Sequence, residues 1–131
     1  MVLVSKKKRE MVLLRGESVL RTYRIALGRV PEGAKREAGD GRTPEGRYTV
    51  DWRNADSKYH LSLHISYPDA ADLARAREAG VDPGGDIMIH GLKDGVRLEG
   101  DWTEGCIAVT DEEMDEIWGL VPDGCLVLIE G

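Results

Sequence analysis

From Tyr59 to Tyr67 the chain alternates without a break. Tyr59, Leu61, Leu63, Ile65 and Tyr67 fall on one side, His60, Ser62, His64 and Ser66 on the other, and Pro68 ends the run. A period of two suits an extended strand with one buried face and is incompatible with an amphipathic helix. Partial alternation of the same kind marks Val2–Lys6, Met11–Arg15 and Ser18–Leu27, with Val2, Val4, Met11, Leu13, Val19, Tyr23, Ile25 and Leu27 assigned inward. Gly46–Trp52, Asp86–His90, Cys106–Val109 and Leu126–Ile129 read as further strands. Helix signals occur twice. Ala70–Ala79 has Pro68 and Asp69 at its start and Gly80 at its end, and Thr110-Asp111-Glu112-Glu113 is a capping box opening a helix through about Trp118. Two short helices are too few for the crossovers of a doubly wound parallel sheet. The prediction is a mainly β fold, a sandwich or distorted barrel with two short helices.

The 131 residues, without repeat or linker, are read as a single domain, residues 1–131, able to bury about two-thirds of its unfolded surface. Sixteen glycines and no phenylalanine point to many turns and close backbone approaches. Gly28 to Pro44 is the longest irregular stretch and therefore a candidate binding element. Its Gly33, Gly39 and Gly41 are not followed by the Lys-Ser or Lys-Thr of a phosphate-binding loop.

Charge is uneven. Residues 1–30 hold eight Lys/Arg against Glu10 and Glu17, while the whole chain carries −6. The run Lys6-Lys7-Lys8-Arg9 could meet an anionic surface but reads more simply as a solvated hairpin turn. No aromatic residue interleaves with it, so nucleic-acid binding is not expected. No stretch approaches the ~20 apolar residues of a membrane helix. Met1-Val2-Leu3-Val4 is too short for a leader core and its positive charges follow it, so read alone the chain is cytosolic.

Chemistry centres on Cys106, in Thr103-Glu104-Gly105-Cys106-Ile107, and His90, in Ile89-His90-Gly91. A thiol is a strong nucleophile only as thiolate, and an imidazole can take its proton. Gly105 permits a tight backbone that aims the amides of Gly105 and Cys106 at an oxyanion. Taken singly, His90 could be a satisfied strand-end histidine and Cys106 a small apolar residue. A zinc site would need ligands beyond these two. His60 and His64 lie ~13 Å apart on a strand rising about 3.3 Å per residue, too far to share an ion. They read as polar-face residues making ordinary hydrogen bonds, or as the lining of a groove. Cys125, before an apolar strand, reads as a small packed residue rather than half of a disulfide.

These residues resemble the L,D-transpeptidase (YkuD-type) catalytic domain, and its YafK-like branch in particular. His90-Gly91 followed by Thr103-Glu104-Gly105-Cys106-Ile107 looks like the family signature, and Thr43-Pro44-Glu45-Gly46-Arg47-Tyr48 like its upstream segment. Ser57 to His64 and Asp82-Pro83-Gly84-Gly85-Asp86 are similar to stretches of that branch. The usual motif has His before the Gly-Cys pair and Arg soon after it, whereas Glu104 and Ala108 stand here. A substrate carboxylate would then need another cation: Arg42, Arg47, Arg53 or Lys58.

The resemblance implies a cysteine-dependent transpeptidase acting on peptidoglycan stem peptides. It implies Cys106 as nucleophile, His90 as base and the Gly91 carbonyl orienting the imidazole. The amides of Gly105 and Cys106 would form the oxyanion hole, and no metal or cofactor is required. His60, His64, Trp102, Thr103 and Arg42 are candidate substrate contacts, and Gly85–Gly91 with Gly95–Trp102 would frame the site. An amine acceptor, such as a lipoprotein or D-amino acid, gives transfer; water gives hydrolysis of a stem or of a lipoprotein linkage. A non-catalytic wall-binding module is the alternative of another class. The implied location is the cell envelope, periplasmic, with a leader absent from the sequence given.

Overall fold

The computed structural model describes residues 1–92 and 98–131. In chain order the elements are β1 (Val2–Ser5), β2 (Glu10–Arg15), β3 (Ser18–Arg24), β4 (Gly46–Ser57), β5 (His60–Ile65), α1 (Ala70–Ala79), β6 (Met88–His90), β7 (Ile107–Ala108), α2 (Asp111–Leu120) and β8 (Leu126–Glu130). The strands form one curled sheet in the order β3-β2-β1-β8-β4-β5-β6-β7. β1 runs parallel to β8 and β6 to β7; the other neighbours are antiparallel. The residues after β3 meet the far edge through bridges from Ala26 to Ala108 and from Gly28 to Thr103. The half-barrel is thus fastened across its opening, and those bridges fall on the segments flanking Cys106.

Both helices start where their caps dictate. Asp69 and Asp72 form one reciprocal capping box and Thr110 and Glu113 the other, and Gly80 at φ +71° ends α1. One apolar cluster fills the fold, with Val4, Met11, Val50, Leu63, Ile65, Ile89, Ile107 and Ile129 from the sheet and Met114 and Ile117 from α2. The core of this phenylalanine-free chain is therefore built mainly from branched aliphatic side chains.

Two readings of the N-terminal hairpin are corrected. Val19, assigned inward, is 61% exposed, because a register shift between Leu13 and Leu14 sets it opposite the outward-facing Leu14. Lys6, assigned to a solvated turn, is buried. Its ammonium donates to the carbonyls of Gly33 (2.9 Å) and Thr43 (2.7 Å) and to Glu45 Oε2 (3.1 Å). Burial pulls its pKa below the ordinary lysine value, with Glu45 opposing. Lys6 ties the Gly28–Pro44 loop to the sheet, while Lys7 and Lys8 remain exposed.

Candidate active site

β6 lies between β5 and β7, so His90 is held from both sides. Ser62 and Ala108 are its register partners, Val109 N–H donates to His90 O at 3.0 Å, and Gly91 N–H donates to Leu61 O at 3.3 Å. Residues directly opposite one another share a face. Leu63 and Ile89 therefore point into the core, and Ser62 and His90 to the other side of the sheet.

The His90 ring is 2% exposed and its Nδ1 lies 2.6 Å from Gly91 O. A carbonyl can only accept, so Nδ1 carries the proton and Nε2 carries the lone pair, with no hydrogen-bond donor to it among the described residues. Burial lowers the imidazole pKa from its usual value, against the pull of the Gly91 carbonyl, and keeps the ring neutral near pH 7. Gly91 is itself a close-approach position: a Cβ there would overlap Asp111 Oδ1 and lie 2.8 Å from Tyr59 O. Asp111 Oδ1, in the first turn of α2, also accepts from Leu92 N–H at 2.7 Å. α2 thereby anchors the chain just past the histidine.

Cys106 immediately precedes β7 and is partly exposed. Its thiol donates to Asp86 O (3.3 Å), and its sulfur accepts from Met88 N–H (3.4 Å). Burial of the sulfur pushes the thiol up to about 11, with the Met88 N–H opposing. The resting pair is thus neutral thiol and neutral imidazole, the thiol bonded to Asp86 rather than to His90. A difference spectrum at 240 nm between the protein and its Cys106→Ala variant is expected to show no thiolate step up to pH 9. A step near pH 7 would contradict the burial argument.

Tight backbone packing shapes the cysteine turn. Gly105 has φ +131°, and a Cβ there would lie 2.7 Å from Arg42 O and 3.1 Å from Ile87 Cδ1. A Cβ on Gly28 would strike the carbonyl of Gly41 and lie 3.2 Å from the Gly105 Cα. Thr103 closes the turn: its hydroxyl donates to Cys106 O (2.6 Å) and accepts from Gly105 N–H (3.1 Å). Of the two amides expected at an oxyanion, Gly105 N–H is engaged within the turn. Cys106 N–H has no intramolecular acceptor among the described residues. Thr103→Val removes both hydroxyl bonds and leaves Gly105 N–H unpaired, so a loss of about 1–3 kcal/mol is expected in urea unfolding.

Asp101 braces this turn from outside. Its carboxylate pairs with Arg9 (Nη2 to Oδ2, 2.9 Å) and accepts from Leu27 N–H (3.3 Å). Beside it, the Trp102 ring packs 6.1 Å from His90 and 6.2 Å from Tyr59, centroid to centroid, and its buried Nε1–H has no partner among the described residues. The expected frame Gly95–Trp102 falls in part on residues 93–97, outside the described residues.

The other candidates are engaged elsewhere. His60 Nε2 lies 2.6 Å from Asp115 Oδ1 of α2, which raises the His60 pKa. His64 Nδ1 lies 2.6 Å from Asp51 Oδ1, and its ring stacks on Trp52. The Arg42 guanidinium donates to Glu32 O (3.2 Å); only its backbone reaches the cysteine turn. Arg53 binds Asp123 and the carbonyls of Trp118 and Val121. Cys106 and Cys125 are both free thiols. Among the described residues no three His, Cys, Asp or Glu side chains converge as a metal site would require. Asp86 falls inside the expected Gly85–Gly91 frame; sequence reasoning missed Tyr59, which arrives from the β4–β5 turn with no local signature, and the bond from Leu92 N–H to Asp111, read only as part of a helix cap.

The curled sheet and its strand-end histidine beside a cysteine turn define the L,D-transpeptidase class. Residues 1–129 match the L,D-transpeptidase catalytic domain family, YkuD, and the chain belongs to that family. It is 37% identical over 112 residues to YafK of Escherichia coli (strain K12), an L,D-transpeptidase-family protein, covering 83% of this chain and 39% of YafK. The fold superposes with a TM-score of 0.79 on the helical cell shape determining protein Pgp2 of Campylobacter jejuni. That match is at 27% identity, over 98% of this chain and 46% of Pgp2. L,D-transpeptidase 1 of Mycobacterium tuberculosis shares the fold at a TM-score of 0.63 and 13% identity, over 99% of this chain and 60% of that one. The chain thus spans about two-fifths of the length of YafK and under half of Pgp2.

Proposed function

We propose that residues 1–131 are one catalytic domain that transfers peptidoglycan stem peptides through a thioester on Cys106. The observation that carries this reading is the 2.6 Å contact between His90 Nδ1 and Gly91 O, which leaves Nε2 unprotonated on β6, the strand paired with β7, which the partly exposed Cys106 immediately precedes. Cys106 exchanges its Asp86 acceptor for His90 Nε2 and passes its proton there as sulfur attacks the stem carbonyl. Cys106 N–H donates to the oxyanion. The carbon–nitrogen bond of the terminal residue then breaks, and His90 returns the proton to the leaving amine. An acceptor amine attacks the thioester and loses its proton to His90, which releases the product and restores the thiol.

Because neither partner is ionised at rest, base catalysis depends on neutral His90. Its lowered pKa keeps the imidazole competent below pH 6.5, and the rate falls only as pH drops through that lower value. A cell-envelope, periplasmic location and a part in shaping the wall fit this substrate. No helix among the described residues is long and apolar enough to cross a membrane.

The test is digestion of purified muropeptides with and without a D-amino acid. An exchange product that disappears in Cys106→Ala supports transfer. Shortened stems alone, or a released lipoprotein peptide, would replace transfer by hydrolysis at the same thioester. No product in any format would leave the chain a binding module.

A further inference from the structure

Alternation along Tyr59–Tyr67 assigns Tyr59 to the core row with Leu61 and Leu63. The strand instead begins at His60, whose φ of +78° turns the chain over and carries Tyr59 to the face of His90. Its ring stacks on the imidazole at 4.3 Å between centroids and 19° between planes. A non-glycine residue with positive φ persists only where its surroundings hold it, and this turn is held from several directions. Tyr59 N–H donates to Ser57 Oγ (3.0 Å), and Ser57 Oγ bonds Ser62 Oγ, beneath His90. His60 is tied to Asp115. The Trp102 ring lies 6.1 Å from the imidazole, tilted at 52° to its plane.

We propose that Tyr59 is a positioning residue for His90: its ring fixes the imidazole plane and offers a π face to the imidazolium formed when Cys106 yields its proton. The inference rests on the reading that Cys106 and His90 react as a pair. A buried imidazolium loses its hydration, and the face of an aromatic ring is one of the few neutral groups that attracts a cation. The carbonyl of Gly91 meets the ring edge, so stack and hydrogen bond constrain different axes. On α2, Asp115 is paired with His60, while Asp111 accepts from Leu92 N–H and keeps its negative charge beside Gly91; on the β7 side the register partner of His90 is the neutral Ala108. Tyr59, stacked at 4.3 Å, is the ring whose face lies against the imidazole, and its attraction to the new positive charge adds to that of Asp111.

The rate of iodoacetamide alkylation at Cys106, read by peptide mass from pH 5 to 9, tests this without a wall substrate. Tyr59→Phe keeps the π face and is expected within twofold of the parent. Tyr59→Leu removes it, so alkylation should slow by about tenfold and the acid limb should move to lower pH. Pentafluorophenylalanine at position 59 retains the ring's shape but reverses its quadrupole; it should slow the reaction like Leu, and it serves if the Leu variant does not fold. Parent-like rates with both Leu and the fluorinated ring overturn the proposal. If His90→Ala alkylates as fast as the parent, the pair itself fails, and the Tyr59 role with it.

Discussion

A Cys106→Ala variant incubated with a carbapenem and weighed intact is expected to gain no adduct, while the parent chain gains one at Cys106. Cys125 is partly buried and immediately precedes β8, which β4 and β5 separate from the His90 strand β6. Acylation should therefore map to Cys106, which leads into β7, the strand paired with that of His90. His90→Ala retains the nucleophile but not the proton acceptor. Burial leaves that thiol protonated at neutral pH with a pKa of about 11. Little thiolate is then available without help, and the acylation rate should fall by about 10²–10⁴. If His90→Ala reacts at the parent rate, or the adduct maps to Cys125, the two residues do not act together.

The second large effect is conformational. Gly105→Ala places a Cβ where φ is +131° and where Arg42 O stands 2.7 Å away. Strain and overlap together should cost about 3 kcal/mol, a fall in Tm of roughly 10 °C for a chain of this size. Acylation should suffer as well, since the displaced turn carries Cys106 and the Thr103 hydroxyl that closes it. Gly119→Ala is the control. That glycine lies in α2 with open space around its Cβ position, so the same change should stabilise by up to about 1 kcal/mol. Calorimetry of the two variants should give shifts of opposite sign. A neutral Gly105→Ala would mean that the turn relaxes freely and does not aim the cysteine.

Both glycines are visible in the sequence; what separates them is not. Gly105 is costly because Arg42, sixty-three positions earlier, brings its carbonyl to it. The helices could be read from residues alone because capping is local: Asp69 with Asp72, Thr110 with Glu113, and Gly80 at a C-terminus. The strands could be read for a similar reason, since alternation records which residues avoid water. That record fails where geometry breaks the period. Val19 left the core at a register shift, and Tyr59 left it at a positive φ. Neither event has an unambiguous local sequence mark, because His60 and Leu14 are ordinary strand residues.

Sequence alone determined the mainly β class, both helices, and the choice of one thiol and one imidazole, through family motifs that are short and lie in order along the chain. Only the tertiary structure decided how these groups are held. It bonds His90 to the Gly91 carbonyl, parks the Cys106 thiol on Asp86, engages Gly105 N–H within the turn and lays Tyr59 against the imidazole. The reason is physical. Local propensity acts over a few residues, whereas burial, hydrogen-bond acceptors and stacking partners are brought together by sheet pairing between distant segments.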